Sequence, residues 1–460
     1  MNKGLFILLF FLFTRIFAFS QIQLPKTLQL SGFQPINSNA TISQFALPTN
    51  QVALGATSQD VINDINRQAI NETVAQKQQE VAQLLCETQA DQYKRMATRT
   101  PYNPAENAEV IKGFAPALSH LRDMLQGKAV LSVADAYYTI ESAYGTPYLT
   151  RQQYYDIIDH SIAFIKTWMQ QNGLDLKDND MVQYAIQKFM STPLTITKTD
   201  ERDKAMKYNT VTHQPFSYDY EDYQYLKDYR NSFLTKCLAT GSGQCNSMPA
   251  VYLVLAEGLG VNAYLSFAPN HSFIKHPDNT GYILNYEPTS NWEISDKWYE
   301  DNLFISQEAV RSGAYLDTLN SKQIVANCIF DLAVEFTRVD RSLNDDFVIA
   351  CLTTGISYFP NNNNLESLFI YSMHLKTMLR EEMRKHGISS IADIAKVPEA
   401  NALYKEYLGN EAYITKLGYQ DAPAGLYEEM MKESEFKGFM QKDLKINGKE
   451  KRNLFITVNQ

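Results

Sequence analysis

The sequence predicts an α+β fold: a mainly helical chain whose centre holds a helix carrying a nucleophile against a small antiparallel sheet. Three observations carry this. Apolar residues recur at near-helical spacing through much of 58–171 and again over 323–385. Between them, residues 205–300 switch to a turn-rich Tyr/Asp segment, a helix, a Gly turn, another helix and alternating short strands. A glycine-containing loop ending in Gly243-Gln244-Cys245 runs straight into that second, strongly apolar helix.

Taken in order, residues 1–20 read as a secretory signal, with Lys3 as the basic end, an apolar run at 5–13 and the small residues Ala18 and Ser20. Cleavage is expected between Ser20 and Gln21, which places the mature protein outside the cell or in the periplasm. An apolar run that short falls well below the ~20 residues a membrane helix needs, so no integral membrane segment is expected once it is removed. Residues 21–56, rich in Gln, Asn, Ser, Thr and Pro, read as an extended leader.

The N-terminal helical region, 57–204, begins with a long amphipathic helix over 58–95, built on Val61, Ile65, Ala69, Val74, Val81, Leu84 and Leu85 and ended by Pro101 and Pro104. Helices follow at 105–126, 132–143 and 150–171; Ser132, with Asp135 three residues on, marks the start of the second. Tyrosines crowd here and at 218–229, and packing between helices explains them better than a sugar or peptide groove. After the core at 205–300, the region 301–433 returns to helices at 323–339, 345–359 and 365–385. Their cadence is tetratricopeptide-like, without the signature Trp and Tyr positions. Residues 434–460 form a Lys-rich tail.

Over 460 residues, 45% hydrophobic and 20% charged content excludes a mostly disordered chain. A net charge of −9 gives no global positive field, so nucleic acid is not an expected partner. The five cysteines include no CxxC and no Cys/His cluster at zinc spacing, so neither a metal nor another cofactor is expected. An odd number in an oxidising compartment leaves one thiol free. One pairing that does so joins Cys328 to Cys351 and Cys86 to Cys237 and frees Cys245; a Cys237–Cys245 bridge is the rival.

Cys245 stands at or just before a helix start, where unsatisfied N–H groups and the positive dipole end favour a thiolate and can receive an oxyanion. His271 opens the strand Ser272-Phe273-Ile274-Lys275, and a second strand, Tyr282 to Glu287, stops at Pro288. Paired side by side, these strands bring His271 near Asn285 or Glu287, either of which could orient the imidazole in the logic of a catalytic triad. Gln244 is a candidate side-chain donor to the oxyanion. His276 is read as part of a solvent-facing turn, which leaves His271 as the base.

These residues resemble the transglutaminase-like superfamily. Gly243-Gln244-Cys245 is similar to its nucleophile motif, His271-Ser272-Phe273 to its His strand and Glu287-Pro288-Thr289 to its Asp-Pro-Thr strand end. Glu287 replaces the family's usual Asp, and Asn246 replaces the aromatic that follows Cys in the animal enzymes. The resemblance implies a papain-like core with Cys245, His271 and Glu287 as the triad, acting on amide bonds of a peptide, protein or cell-wall peptide. It is similar to bacterial members with helical tails, some of which lack catalysis. A non-catalytic scaffold whose helical regions bind a protein partner is therefore the alternative.

Overall fold

The computed structural model describes Gln76, Lys77, Val81 and residues 104–145, 147–199, 208–223, 225, 227–339 and 345–421. The expected signal, leader and Lys-rich tail and Cys86 lie outside these residues. Of the long helix expected over 58–95, only Gln76, Lys77 and Val81 are described, all helical.

After these residues the described part of the chain runs through α1 (Pro104–Leu125), α2 (Val133–Tyr144), α3 (Arg151–Gln171) and α4 (Asn179–Ser191). The starts of the last three follow from side-chain oxygens that satisfy free N–H groups. Ser132 caps α2, a Thr150/Gln153 capping box opens α3 and Asp178 caps α4. An antiparallel hairpin, β1 (Leu194–Thr199) with β2 (Tyr208–His213), follows and packs on α3. Neither α4 nor this hairpin was expected from the sequence.

The centre then runs β3 (Ser217–Tyr218), α5 (Leu234–Thr240), β4 (Ser242–Gly243) and α6 (Ser247–Leu259). It continues into a four-stranded antiparallel meander: β5 (Tyr264–Ala268), β6 (His271–Pro277), β7 (Ile283–Glu287) and β8 (Trp292–Glu293). Every residue from Ser247 to Ala256 is buried, so α6 is a central helix enclosed on all sides rather than an amphipathic surface one. It packs on α2, α3, α4, α5 and the sheet.

The one acidic residue in that helix has a structural task. Glu257 accepts hydrogen bonds from the backbone of Val133 and Ala134 and from the Ser132 hydroxyl, anchoring the start of α2. Glu141 of α2 in turn accepts from the backbone N–H groups of Leu234 and Thr235 at the start of α5. Two carboxylate caps, Glu141 buried and Glu257 exposed, thus fix α2 and α5 around α6.

After the sheet come α7 (Asp296–Asn302), α8 (Gln307–Ser312), α9 (Ser321–Val339), α10 (Asp345–Ile356), α11 (Leu365–Lys385), α12 (Ile391–Ile394) and α13 (Pro398–Lys416). Helix α9 packs on α10 but equally on α1 and α2, and residues from 114 to 407 share one core. A solenoid repeat would touch only its neighbours in sequence. Among the described residues no helix is long and apolar enough to cross a membrane.

Two expectations need correction. Cys328 and Cys351 form no bridge: both are buried free thiols on α9 and α10, and burial raises the pKa of each. Cys237 and Cys245 are free as well, so the rival bridge is also not formed. His276 does not face solvent. It lies in β6, 3% exposed, with Nε2 against the Gln187 amide and the Tyr252 ring stacked nearby. Burial lowers its pKa. The turn starts at Asp278, whose carboxylate accepts from the N–H groups of Thr280 and Tyr282.

Candidate active site

The site is assembled by three short local features. The first is the β4–α6 turn. The Gln244 carbonyl accepts from Met248 N–H at 2.9 Å, so Cys245 sits in the opening turn of α6. Gln244 N–H donates to Ser247 Oγ at 3.1 Å, which pins the turn. Gly243 permits this because nothing larger fits. A Cβ there would lie 2.6 Å from both Cys237 Sγ and Ser247 Oγ, on two side chains that are themselves buried. Gly243→Ala should therefore cost about 1–3 kcal/mol of stability and slow alkylation of Cys245 by pushing Ser247 off its partner. Thermal melting and iodoacetamide kinetics check this, and unchanged values for both would refute the close-packing account.

The second feature is the two-residue turn between β5 and β6. Pro269 presets one turn dihedral and Asn270 adopts φ 54°, a left-handed conformation that Asn tolerates. The resulting register pairs Ala268 with His271 and makes His271 the first residue of its strand. Ser272, next in line, donates to the Cys245 carbonyl and ties the strand to the β4–α6 turn.

The third is the end of β7. Glu287 is its last residue before Pro288, and the four-residue turn to Trp292 closes through Asn291 N–H donating to the Glu287 carbonyl. His271 and Glu287 fall on one sheet face, as the alternation of β-strands requires. That face is covered by α7, whose Tyr299 stacks on Phe273 with ring centroids 4.2 Å apart.

His271 Nε2 meets Glu287 Oε2 at 2.5 Å. Tyr299 donates to the same carboxylate oxygen at 2.9 Å, while the Thr289 hydroxyl and N–H both donate to Oε1. Glu287 thus takes part in four hydrogen bonds with three residues. Burial alone would raise its pKa, but the His271 charge and these donors hold it below the usual range. Burial likewise disfavours a charged His271, yet the Glu287 carboxylate and the Cys245 thiol raise its pKa to about 10. With Nε2 on Glu287, Nδ1 is the ring nitrogen left for the sulfur.

Of the five residues singled out in the sequence, Cys245, His271 and Glu287 come together. Asn285 does not join them: it lies two residues back along β7 and donates to Asp296, which also pairs with Lys275. Gln244 is fully buried, and its side-chain nitrogen donates to the Asp219 carbonyl at 3.5 Å.

Sequence reading missed Tyr299 and Tyr225. Tyr225 takes φ 53°, and its buried hydroxyl has no hydrogen-bond partner and lies beside the Cys245 thiol. Positive φ at a bulky residue marks a constrained position, but nothing in the sequence separates this tyrosine from its neighbours. Among the described residues, no group of three or more His, Cys, Asp or Glu could hold a metal ion.

A buried helix opening on a cysteine, packed against a meander that presents His and a carboxylate, defines a papain-like α+β core. Residues 179–329 match the transglutaminase-like superfamily, so the chain carries a transglutaminase-like domain running from α4 into α9. That span extends past both ends of the core expected at 205–300. No curated protein and no solved structure matches the chain.

Proposed function

We propose that the protein is a cysteine-dependent acyl-transfer enzyme acting on amide bonds, with Cys245 as nucleophile, His271 as acid and base, and Glu287 as the group that orients His271. The observation that carries this reading is the His271–Glu287 contact, with the remaining imidazole nitrogen left to the sulfur. An imidazole with a pKa near 10 holds its proton at neutral pH, which suits a thiolate–imidazolium pair.

In the first half-reaction the thiolate attacks the amide carbon, and His271 gives its proton to the departing amine. In the second, His271 takes a proton from water as it attacks the thioester, releasing the acid and restoring the pair. An amine in place of water would give transamidation; hydrolysis is the default because water needs no binding site of its own. The substrate class is a peptide or protein. The secretory signal read at residues 1–20 supports an activity outside the cell or in the periplasm.

p-Nitrophenyl acetate, an activated ester that needs no specific recognition, tests the nucleophile. The expected result is a burst of p-nitrophenolate with an acetyl group on Cys245, absent in Cys245→Ala and suppressed at least 100-fold in His271→Ala. A burst that survives Cys245→Ala would rule the reading out.

A further inference from the structure

A buried hydroxyl without a partner costs stability, on the order of 1–3 kcal/mol, and proteins rarely leave one in place without use. Tyr225 has such a hydroxyl. It is not there through looseness of its loop. Tyr225 N–H donates to the Asp222 carbonyl at 2.9 Å, and the buried Asp222 carboxylate accepts from Lys227 N–H, Asp228 N–H and the Asn231 side chain. The ring packs edge-on against Tyr229, with centroids 6.4 Å apart. The segment is knotted around Asp222 and holds Tyr225 in a left-handed conformation with its oxygen beside the Cys245 sulfur.

We infer that Tyr225 supplies the side-chain donor of the oxyanion hole, whereas the Gln244 side-chain nitrogen donates to the Asp219 carbonyl. The inference rests on Cys245 being the nucleophile. When the sulfur forms its bond to the carbonyl carbon, the π electron pair moves to the carbonyl oxygen. That oxygen sits one bond from the carbon that the sulfur has just joined, within the region the Tyr225 hydroxyl faces. The hydroxyl donates a hydrogen bond to it and keeps its own proton, and the Cys245 N–H donates alongside. On collapse the pair returns to the carbonyl and the leaving group departs.

In the free enzyme the hydroxyl has only the Cys245 sulfur, a weak acceptor, beside it; an oxyanion is a far stronger one, so the bond strengthens toward the transition state, where it accelerates the reaction. Burial and the nearby Cys245 push the Tyr225 hydroxyl well above its ordinary pKa, so it stays a donor across the working range.

The experiment compares two reagents on the full chain. Acylation by p-nitrophenyl acetate passes through an oxyanion, whereas alkylation by iodoacetamide does not. For Tyr225→Phe we expect acylation to slow by about 10- to 100-fold while alkylation stays within about twofold of wild type. The unchanged alkylation also shows that the variant is folded. Acylation within twofold of wild type overturns the inference, as does a parallel fall in both rates, which would make Tyr225 a thiol-positioning group. Those results leave the nucleophile reading standing; acylation of wild type that does not depend on Cys245 removes both.

Discussion

Glu287→Gln should lower the turnover of an acyl substrate by about 10³-fold or more, the scale seen when a triad carboxylate becomes an amide. The amide keeps the shape of the side chain, so the loss is electrostatic and tautomeric. Without the carboxylate, the His271 pKa should fall from about 10 toward the ordinary 6.5, so at neutral pH the ring no longer holds a proton for the leaving amine. The amide also has one acceptor oxygen and one donor nitrogen. It cannot accept from His271, Tyr299 and Thr289 together.

Two readouts separate this from unfolding. The pH profile of iodoacetamide alkylation should move to lower pH for its upper limb, and the melting temperature should drop by no more than a buried hydrogen-bond network explains. Glu287→Asp keeps the charge but is one methylene shorter, so it should fall between wild type and Gln. A Gln variant within tenfold of wild type would mean that Glu287 only packs the sheet against Tyr299.

How much of this was legible in the sequence depends on how local each signal is. Cys245 announces itself because a helix start is written in a few adjacent residues. His271 and Glu287 do so because Pro269-Asn270 and Pro288 punctuate their strands. The amphipathic helices and the cap at Ser132 were equally readable.

Long-range partners were not. Tyr299 reaches Glu287 only because α7 folds over the sheet, and Tyr225 is one tyrosine among many until tertiary packing selects it. Helix α4 hid for a related reason: its inward face includes Gln183, which bonds to the Tyr252 hydroxyl, so a buried position reads as polar. The β1–β2 hairpin is rich in Thr and half exposed, and its pattern lacks a clean apolar stripe. The Cys328–Cys351 expectation failed because neighbouring helices do not guarantee facing sulfurs.

Raising the pH from 6 to 9 should lower the melting temperature by about 3–6 °C. The cause is a group of carboxylates adjoining the first turn of α6. Glu141 and Glu335 are buried, and Asp331 and Glu366 lie half-buried beside them. Glu141, Asp331 and Glu335 line one small cavity with Ser247 and Asn246. Burial raises all four; Glu141 reaches about 7 even with two backbone donors, and Asp331 about 6. Arg338 opposes the rise at Glu335 without cancelling it, and one Glu335 oxygen has no partner.

A carboxyl whose pKa is higher folded than unfolded binds its proton more tightly in the native state. Its contribution is therefore complete below the unfolded pKa and disappears as the pH passes the folded value. For Glu141 the gap between 4.5 and about 7 is worth on the order of 3 kcal/mol. His271 acts in the same direction over the same range: its contribution is complete below the ordinary 6.5 and is lost as the pH climbs toward 10. Glu335→Gln keeps the shape but never ionises, so it should flatten the decline and raise the melting temperature at pH 9 while changing little at pH 5. A melting temperature that stays level or rises between pH 6 and 9 would show that the cluster is ionised and compensated. A Gln variant with the wild-type slope would place the titration elsewhere in the group.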